Sequence, residues 1–179
     1  MKGIVFTEFF SFVENEYDYN MVDFLIENTD LPSKGIYTNI GTYSHSEIVQ
    51  LLVCLSKKTN VPIDTYLVKF GEHLFDVFIK YYNDYLTQVS NSFDFLKSLD
   101  SYIHIEVLKL YPEATLPKFE FISNDGKNIE LIYTSERNMS SLAEGLLNKT
   151  FKHFNEPYNY KKVMNDPTGK NVTFFISKA

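Results

Sequence analysis

The first two-thirds of the chain repeats its apolar residues at helical spacing. Val5, Phe6, Phe9, Phe10 and Val13 recur along residues 2–14, and a second, shorter helix is predicted over 18–28. Pro32 and Gly35 punctuate the loop that follows. Ser44-His45-Ser46-Glu47 has the form of a capping box, with Ser44 as N-cap and Glu47 reaching back, and it opens an apolar helix through Ile48, Leu51, Leu52 and Leu55. Pro62 begins a helical segment over 63–70, which Gly71 divides from a further run over 72–85 holding Leu74, Phe75, Phe78, Ile79 and Tyr82. Residues 92–111 form the longest periodic segment. At 100° per residue Leu96, Ile103, Val107 and Tyr111 line one stripe, and Pro112 ends it.

Beyond Pro112 the period changes. Lys118 to Ile122 alternates, Asn124-Asp125-Gly126-Lys127 is a hairpin turn, and Asn128 to Thr134 answers as the second strand. Ser141 to Glu144 repeats the capping-box spacing ahead of a helix over 142–154. Strands near 158–164 and 171–177 flank Asn165-Asp166-Pro167-Thr168-Gly169. Helices followed by β-β-α-β-β predict an α+β fold with a four-stranded antiparallel sheet, and no repeat or low-complexity segment interrupts it.

Composition narrows the class. A chain of 179 residues suffices for one domain with a substantial core, or for two small lobes sharing one. With 44% hydrophobic and 22% charged residues it is globular rather than disordered. Thirteen Tyr and sixteen Phe, with no Trp, suit a large apolar cavity as well as ordinary core packing. The net charge of -6 argues against nucleic acid and against an anionic membrane surface. The single cysteine, Cys54, builds neither an internal disulfide nor a cysteine-based zinc site. No segment approaches the ~20 apolar residues that span a bilayer. Glu8 interrupts the N-terminus before a signal-peptide core forms. A cytoplasmic setting is expected.

Candidate chemistry starts from four histidines. His45 sits in the first capping segment and is expected to be exposed; His153 lies near a helix C-terminus, and His73 flanks Gly71. His104 lies on the flank of the apolar arc of 92–111, beside Phe93, Leu108 and Tyr111 by projection. A buried imidazole there needs a hydrogen-bond partner or a metal, and Asp100, one turn earlier, is a candidate partner. Further on, period-two alternation puts Tyr133, Ser135 and Arg137 on one face if the strand continues. Two hydroxyls and a guanidinium in a row suit carboxylates, although a solvated sheet face has the same pattern. Together the two features meet what a haem requires, an axial imidazole and a fork for two propionates.

These residues resemble the haem nitric oxide/oxygen-binding domain, H-NOX, related to the sensory domain of soluble guanylate cyclase. The resemblance covers essentially the whole chain. It rests on Met1-Lys2-Gly3-Ile4-Val5, on Gly71 in Val68-Lys69-Phe70-Gly71, and on His104 in Asp100-Ser101-Tyr102-Ile103-His104. It rests also on Pro117 in Ala114-Thr115-Leu116-Pro117 and on Tyr133-x-Ser135-x-Arg137. It implies a single domain over 1–179, with a helical distal lobe (1–60) packed on a proximal α/β lobe (61–179) and haem b between them. His104 would be the proximal iron ligand, and Tyr133, Ser135 and Arg137 the propionate hold. Pro117 would press on the haem and bend it, with Ile103 and Leu108 as further haem contacts.

Oxygen-binding members of the family carry a distal tyrosine on the helix after the Y-x-S-x-R motif. Motif spacing puts Leu142 at that position, and the neighbouring distal positions fall at Val5, Phe9, Leu74, Phe78 and Leu146. Leucine offers no donor, so NO and CO are favoured over O₂. Tyr82 or Tyr85 reaching into the pocket would instead make an oxygen-binding sensor. Some relatives hold a Cys/His zinc cluster near the C-terminus; residues 159–175 contain neither type, so no structural zinc is expected. The implied mechanism is a switch: NO weakens the iron–His104 bond, His104 is released, the haem relaxes against Pro117 and the lobes rotate. The chain ends at Ala179 just after the last strand, so signalling in trans is expected, to a histidine kinase or a cyclic-di-GMP enzyme. An enzyme is not expected: a haem peroxidase would need a distal acid–base pair, and the distal wall offers none. A haem-free interaction module is the remaining competing class.

Overall fold

The structure is a computed structural model and describes residues 1–81 and 89–179. Four helices come first: α1 (Gly3–Glu16), α2 (Tyr19–Glu27), α3 (His45–Thr59) and α4 (Ile63–Tyr81). Asp18 caps α2 by accepting from the Met21 N–H at 3.0 Å, the task for which a short acidic side chain suits an N-cap. Then follow α5 (Ser92–Ser98), a π turn (Leu99–Ile103) and α6 (His104–Leu110). The remainder is β1 (Lys118–Asn124), β2 (Asn128–Thr134), α7 (Ser140–His153), β3 (Tyr158–Met164) and β4 (Asn171–Lys178). The strands form one antiparallel sheet in the order β1-β2-β4-β3, so the fold is α+β as its periodicities predict. β1 runs past Ile122 to Asn124 through a bulge between Phe121 and Ser123.

Three local expectations give way. The predicted break at Gly71 does not occur, because α4 runs through it. A Cβ at Gly71 would stand 2.3 Å from the Leu142 carbonyl oxygen, and one at Gly145 2.0 Å from that of Val68. The two glycines let α4 and α7 meet backbone to backbone, so Gly71 serves close approach rather than a turn.

Residues 92–111 are not one α-helix. In the π turn the His104 N–H donates to the Leu99 carbonyl, five residues back. A wider turn shifts the phase of every side chain beyond it. Burial therefore falls off along the predicted stripe: Leu96 is buried, while Ile103, Val107 and Tyr111 are only partly so.

Neither capping box forms. Ser44 does cap α3, accepting from the Ser46 N–H at 3.2 Å, but Glu47 turns inward and is only 2% exposed. It accepts from the Ser33 N–H at 3.2 Å, the Tyr37 hydroxyl at 3.1 Å and the Ser33 hydroxyl. A buried carboxylate needs such donors, and these tie the loop after α2 to α3. At α7 the helix starts at Ser140, one turn of side-chain chemistry is spent elsewhere, and Ser141 donates to Asp64 at 2.8 Å. Glu144 accepts from Lys162 at 3.1 Å and from the Tyr160 hydroxyl.

The apolar side chains gather into two clusters. One holds Phe6, Phe9, Phe12, Leu25, Leu51, Leu52, Phe70 and Leu74 from α1–α4, with Met139. The other holds Phe75, Phe93, Leu96, Phe151 and the inner sheet face: Phe119, Ile129, Leu131, Tyr133, Val172, Phe174 and Ile176. Leu146 of α7 packs on both. Among the described residues no helix is long and apolar enough to cross a membrane.

Candidate functional site

His104 is the first residue of α6, directly after the π turn, and its side chain is 17% exposed. Nδ1 lies 2.6 Å from Asp100 Oδ1, a buried oxygen. The other Asp100 oxygen accepts from the Phe119 N–H at 2.8 Å, tying the π turn to β1. Burial lowers the His104 pKa below its ordinary value, and the opposing pull of Asp100 does not restore it. Nε2 has no hydrogen-bond partner among the described residues. A neutral imidazole with one nitrogen against a carboxylate and the other unengaged is apt for binding a metal.

Phe119 links this imidazole to the downstream row. Its ring centroid is 5.9 Å from that of His104 and 5.5 Å from that of Tyr133. Tyr133 ends the inner face of β2 and is buried, which raises its pKa. Ser135 is also buried; its N–H donates to the Lys170 carbonyl at 2.8 Å and its Oγ accepts from the Arg137 N–H at 3.2 Å. Arg137 is half-buried, and burial lowers its pKa. Its Nη1 donates to the Thr115 carbonyl at 2.5 Å, so it grips the loop that carries Pro117. Asp100 holds the other end of that stretch at Phe119. Arg137 has no ion-pair partner among the described residues. A guanidinium placed so, with two hydroxyl residues beside it, is built for an anion.

Of the other positions expected to contact haem, Pro117 and Ile103 are partly buried, while Leu108 is 39% exposed. The six positions expected to be distal fall together: Phe9 and Leu74 lie in the first cluster, and Val5, Phe78, Leu142 and Leu146 pack against it. Tyr82 and Tyr85 lie outside the described residues.

The remaining histidines differ among themselves. His73 Nε2 pairs with Glu8 at 3.1 Å, and His153 meets Phe75 edge-on at 5.8 Å. His45 corrects its expected exposure. It is half-buried, its Nε2 is enclosed without a hydrogen-bond partner, and it lines a pocket with Arg137. Nothing local to Ser44-His45-Ser46 signals this, because the covering residues, Arg137 to Met139, are distant in sequence.

Residues 2–162 match a protein-family model described as Haem-NO-binding. Among solved structures, the chain is similar to the Fe(II) unliganded H-NOX protein from K. algicida at 41% identity, covering 100% of this chain and 97% of that one, with a TM-score of 0.96. The IWP-051-bound H-NOX from Shewanella woodyi, in the Fe(II)CO ligation state, is 39% identical, with 100% and 95% coverage and a TM-score of 0.85. An H-NOX protein from S. oneidensis in the Fe(II)NO ligation state is 25% identical, with 100% and 99% coverage and a TM-score of 0.91. A comparison with curated proteins finds no match.

Proposed function

The chain belongs to the haem-NO-binding, or H-NOX, family of haem-based gas sensors, and we propose that it senses nitric oxide at a ferrous haem b tethered by His104. The observation that carries this reading is the convergence of an unengaged imidazole nitrogen with the Tyr133, Ser135 and Arg137 row through Phe119.

The residues fit the cofactor. His104 Nε2 suits an axial ligand, and Arg137, an unpaired cation beside Ser135, suits a propionate. His45 Nε2, a buried polar atom without a partner, lines a pocket with that same arginine and leaves further donor capacity there. Haem, when bound, would supply a ferrous iron able to take a diatomic gas. The chain does the rest. Val5, Phe9, Leu74, Phe78, Leu142 and Leu146 carry no side-chain donor, so the distal wall favours NO and CO over O₂. The S. woodyi and S. oneidensis proteins, in Fe(II)CO and Fe(II)NO states, support that choice.

His104 is the releasable tether between cofactor and α6. His104 lies at the end of the π turn, whose Asp100 is bonded to β1 beside Pro117, so a change at His104 would be passed into the proximal lobe (61–179) and against the distal lobe (1–60). A histidine kinase or cyclic-di-GMP enzyme reads that motion; the chain itself performs no catalysis and works in the cytoplasm.

The test is an absorption series on the purified ferrous protein, alone, with CO, with NO, and in air. CO and NO each give a shifted Soret band, and air gives no stable oxy spectrum. A stable oxy spectrum overturns the preference for NO, and failure to hold haem overturns the whole reading. His104→Gly loses the protein-derived axial bond, and free imidazole takes its place; an unaltered ferrous spectrum would remove His104 as the ligand.

A further inference from the structure

The pocket of about 250 Å³ between α3, α4 and the turn after β2 holds two basic side chains, His45 and Arg137, in a wall made chiefly of Val49, Leu52, Ile63 and Leu67. Both basic groups are under-used. Beyond the Thr115 carbonyl the guanidinium has no side-chain partner among the described residues, and His45 Nε2 is buried with none. A buried donor without an acceptor is disfavoured, as is a partly buried cation without a counter-charge. An occupant with negative oxygens answers both demands together, which neither water nor an apolar ligand does.

We propose that His45 is a fourth member of the carboxylate hold: its Nε2–H donates to the haem propionate that Arg137 engages. This rests on the haem reading above. Burial and the nearby Arg137 charge both disfavour the imidazolium, so His45 acts as a neutral N–H donor rather than a second cation. Its place at the start of α3 lets it bridge the two ends of the chain: a residue of the helical N-terminal part grips the same group as the Tyr133–Arg137 row.

The experiment measures transfer of haem from the full chain to an excess of a haem scavenger. His45→Leu removes the donor and is expected to raise the loss rate roughly ten- to a hundredfold, the scale of one hydrogen bond to a charged group. His45→Gln keeps an N–H donor and recovers most of the difference. Reconstitution with haem dimethyl ester, which has no carboxylate, makes wild type and His45→Leu lose haem equally fast. A His45→Leu effect that persists with the ester shows a packing role and overturns the proposal, as do equal rates with native haem. If His45→Leu does not fold, nitrogen-15 NMR of the wild-type ferrous CO form decides. The His45 Nε2–H resonance is shifted downfield with native haem relative to the ester, and an unmoved resonance overturns the proposal. A wild type that takes up neither haem overturns the gas-sensor reading itself, an outcome distinct from all of these.

Discussion

A metal-binding histidine is aimed by whatever its second nitrogen touches. For His104 that neighbour is Asp100, which also accepts from the Phe119 N–H at 2.8 Å. Asp100→Ala is predicted to do two separable things. Loss of the acceptor strands a backbone donor and lowers stability by about 1–3 kcal/mol, read from denaturant unfolding. Loss of the carboxylate beside Nδ1 makes the imidazole a poorer donor to iron and lowers the iron–histidine stretching frequency in the ferrous resonance Raman spectrum. A variant that is less stable but has an unmoved Raman band would reduce Asp100 to a fastener of β1. Arg137→Ala is predicted to speed haem loss and to release the Thr115 carbonyl, loosening the Pro117 loop. Unchanged loss rates would count against its propionate role. These residues were legible in the sequence to different degrees. His104 and the Tyr133, Ser135, Arg137 row stand out because each sits in a short local pattern. His45 does not, since its burial is made by residues some ninety positions away in the chain, a distance no local pattern spans.

Among the elements, periodicity located strands and helices well, because alternation and turn chemistry act within a few residues. The hairpin at Asn124–Asn128 is such a case: Asp125 Oδ1 accepts from the N–H groups of Lys127 at 2.9 Å and Asn128 at 2.6 Å. What failed depended on partners far off in sequence. Glu47 and Glu144 have capping-box spacing but find Ser33 and Lys162 instead, and the π turn escapes any projection that assumes a constant angle. Gly71 escapes a local reading for the same reason, since its contact is Leu142 on another helix. The α4–α7 crossing gives a prediction at this scale. In Gly145→Ala the new methyl would stand 2.0 Å from the Val68 carbonyl oxygen, a backbone atom that cannot swing aside. The helices must separate, at about 1–3 kcal/mol. α4 carries Leu74 and Phe78 and α7 carries Leu142 and Leu146, so the proposed distal wall widens too. Altered CO rebinding alongside reduced stability is expected; a change in neither would mean the crossing is not tight.

The whole molecule joins its two apolar clusters through α4 and α7, with Leu74 in one cluster, its neighbour Phe75 in the other, and Leu146 against both. His45 and His104 are the two described histidines whose pKa is lowered, and in both burial is the largest cause. His45 faces Arg137 and the Met1 amino group, which push the same way, and His104 faces Asp100, which opposes. The unfolded chain takes up protons at these rings near the ordinary value of 6.5, before the folded protein does. Their contribution is therefore full above about pH 6.5 and is lost as pH falls toward the lower folded values. Carboxylates act later. Burial pulls Glu156 upward, but hydrogen bonds from Ser92 and the Lys178 ammonium at 3.0 Å outweigh it and hold it below its ordinary 4.5, so its contribution fades only below that pH. The thermal midpoint of haem-free protein is thus predicted to fall in two stages between pH 8 and pH 3. With iron on His104, that ring would take a proton only after unfolding, so the haem-loaded protein is predicted to show a deeper first stage than the haem-free one, and His45→Gln makes that stage shallower in both. A first stage that is no deeper with haem and is unchanged in His45→Gln would place the titrating groups elsewhere in the fold.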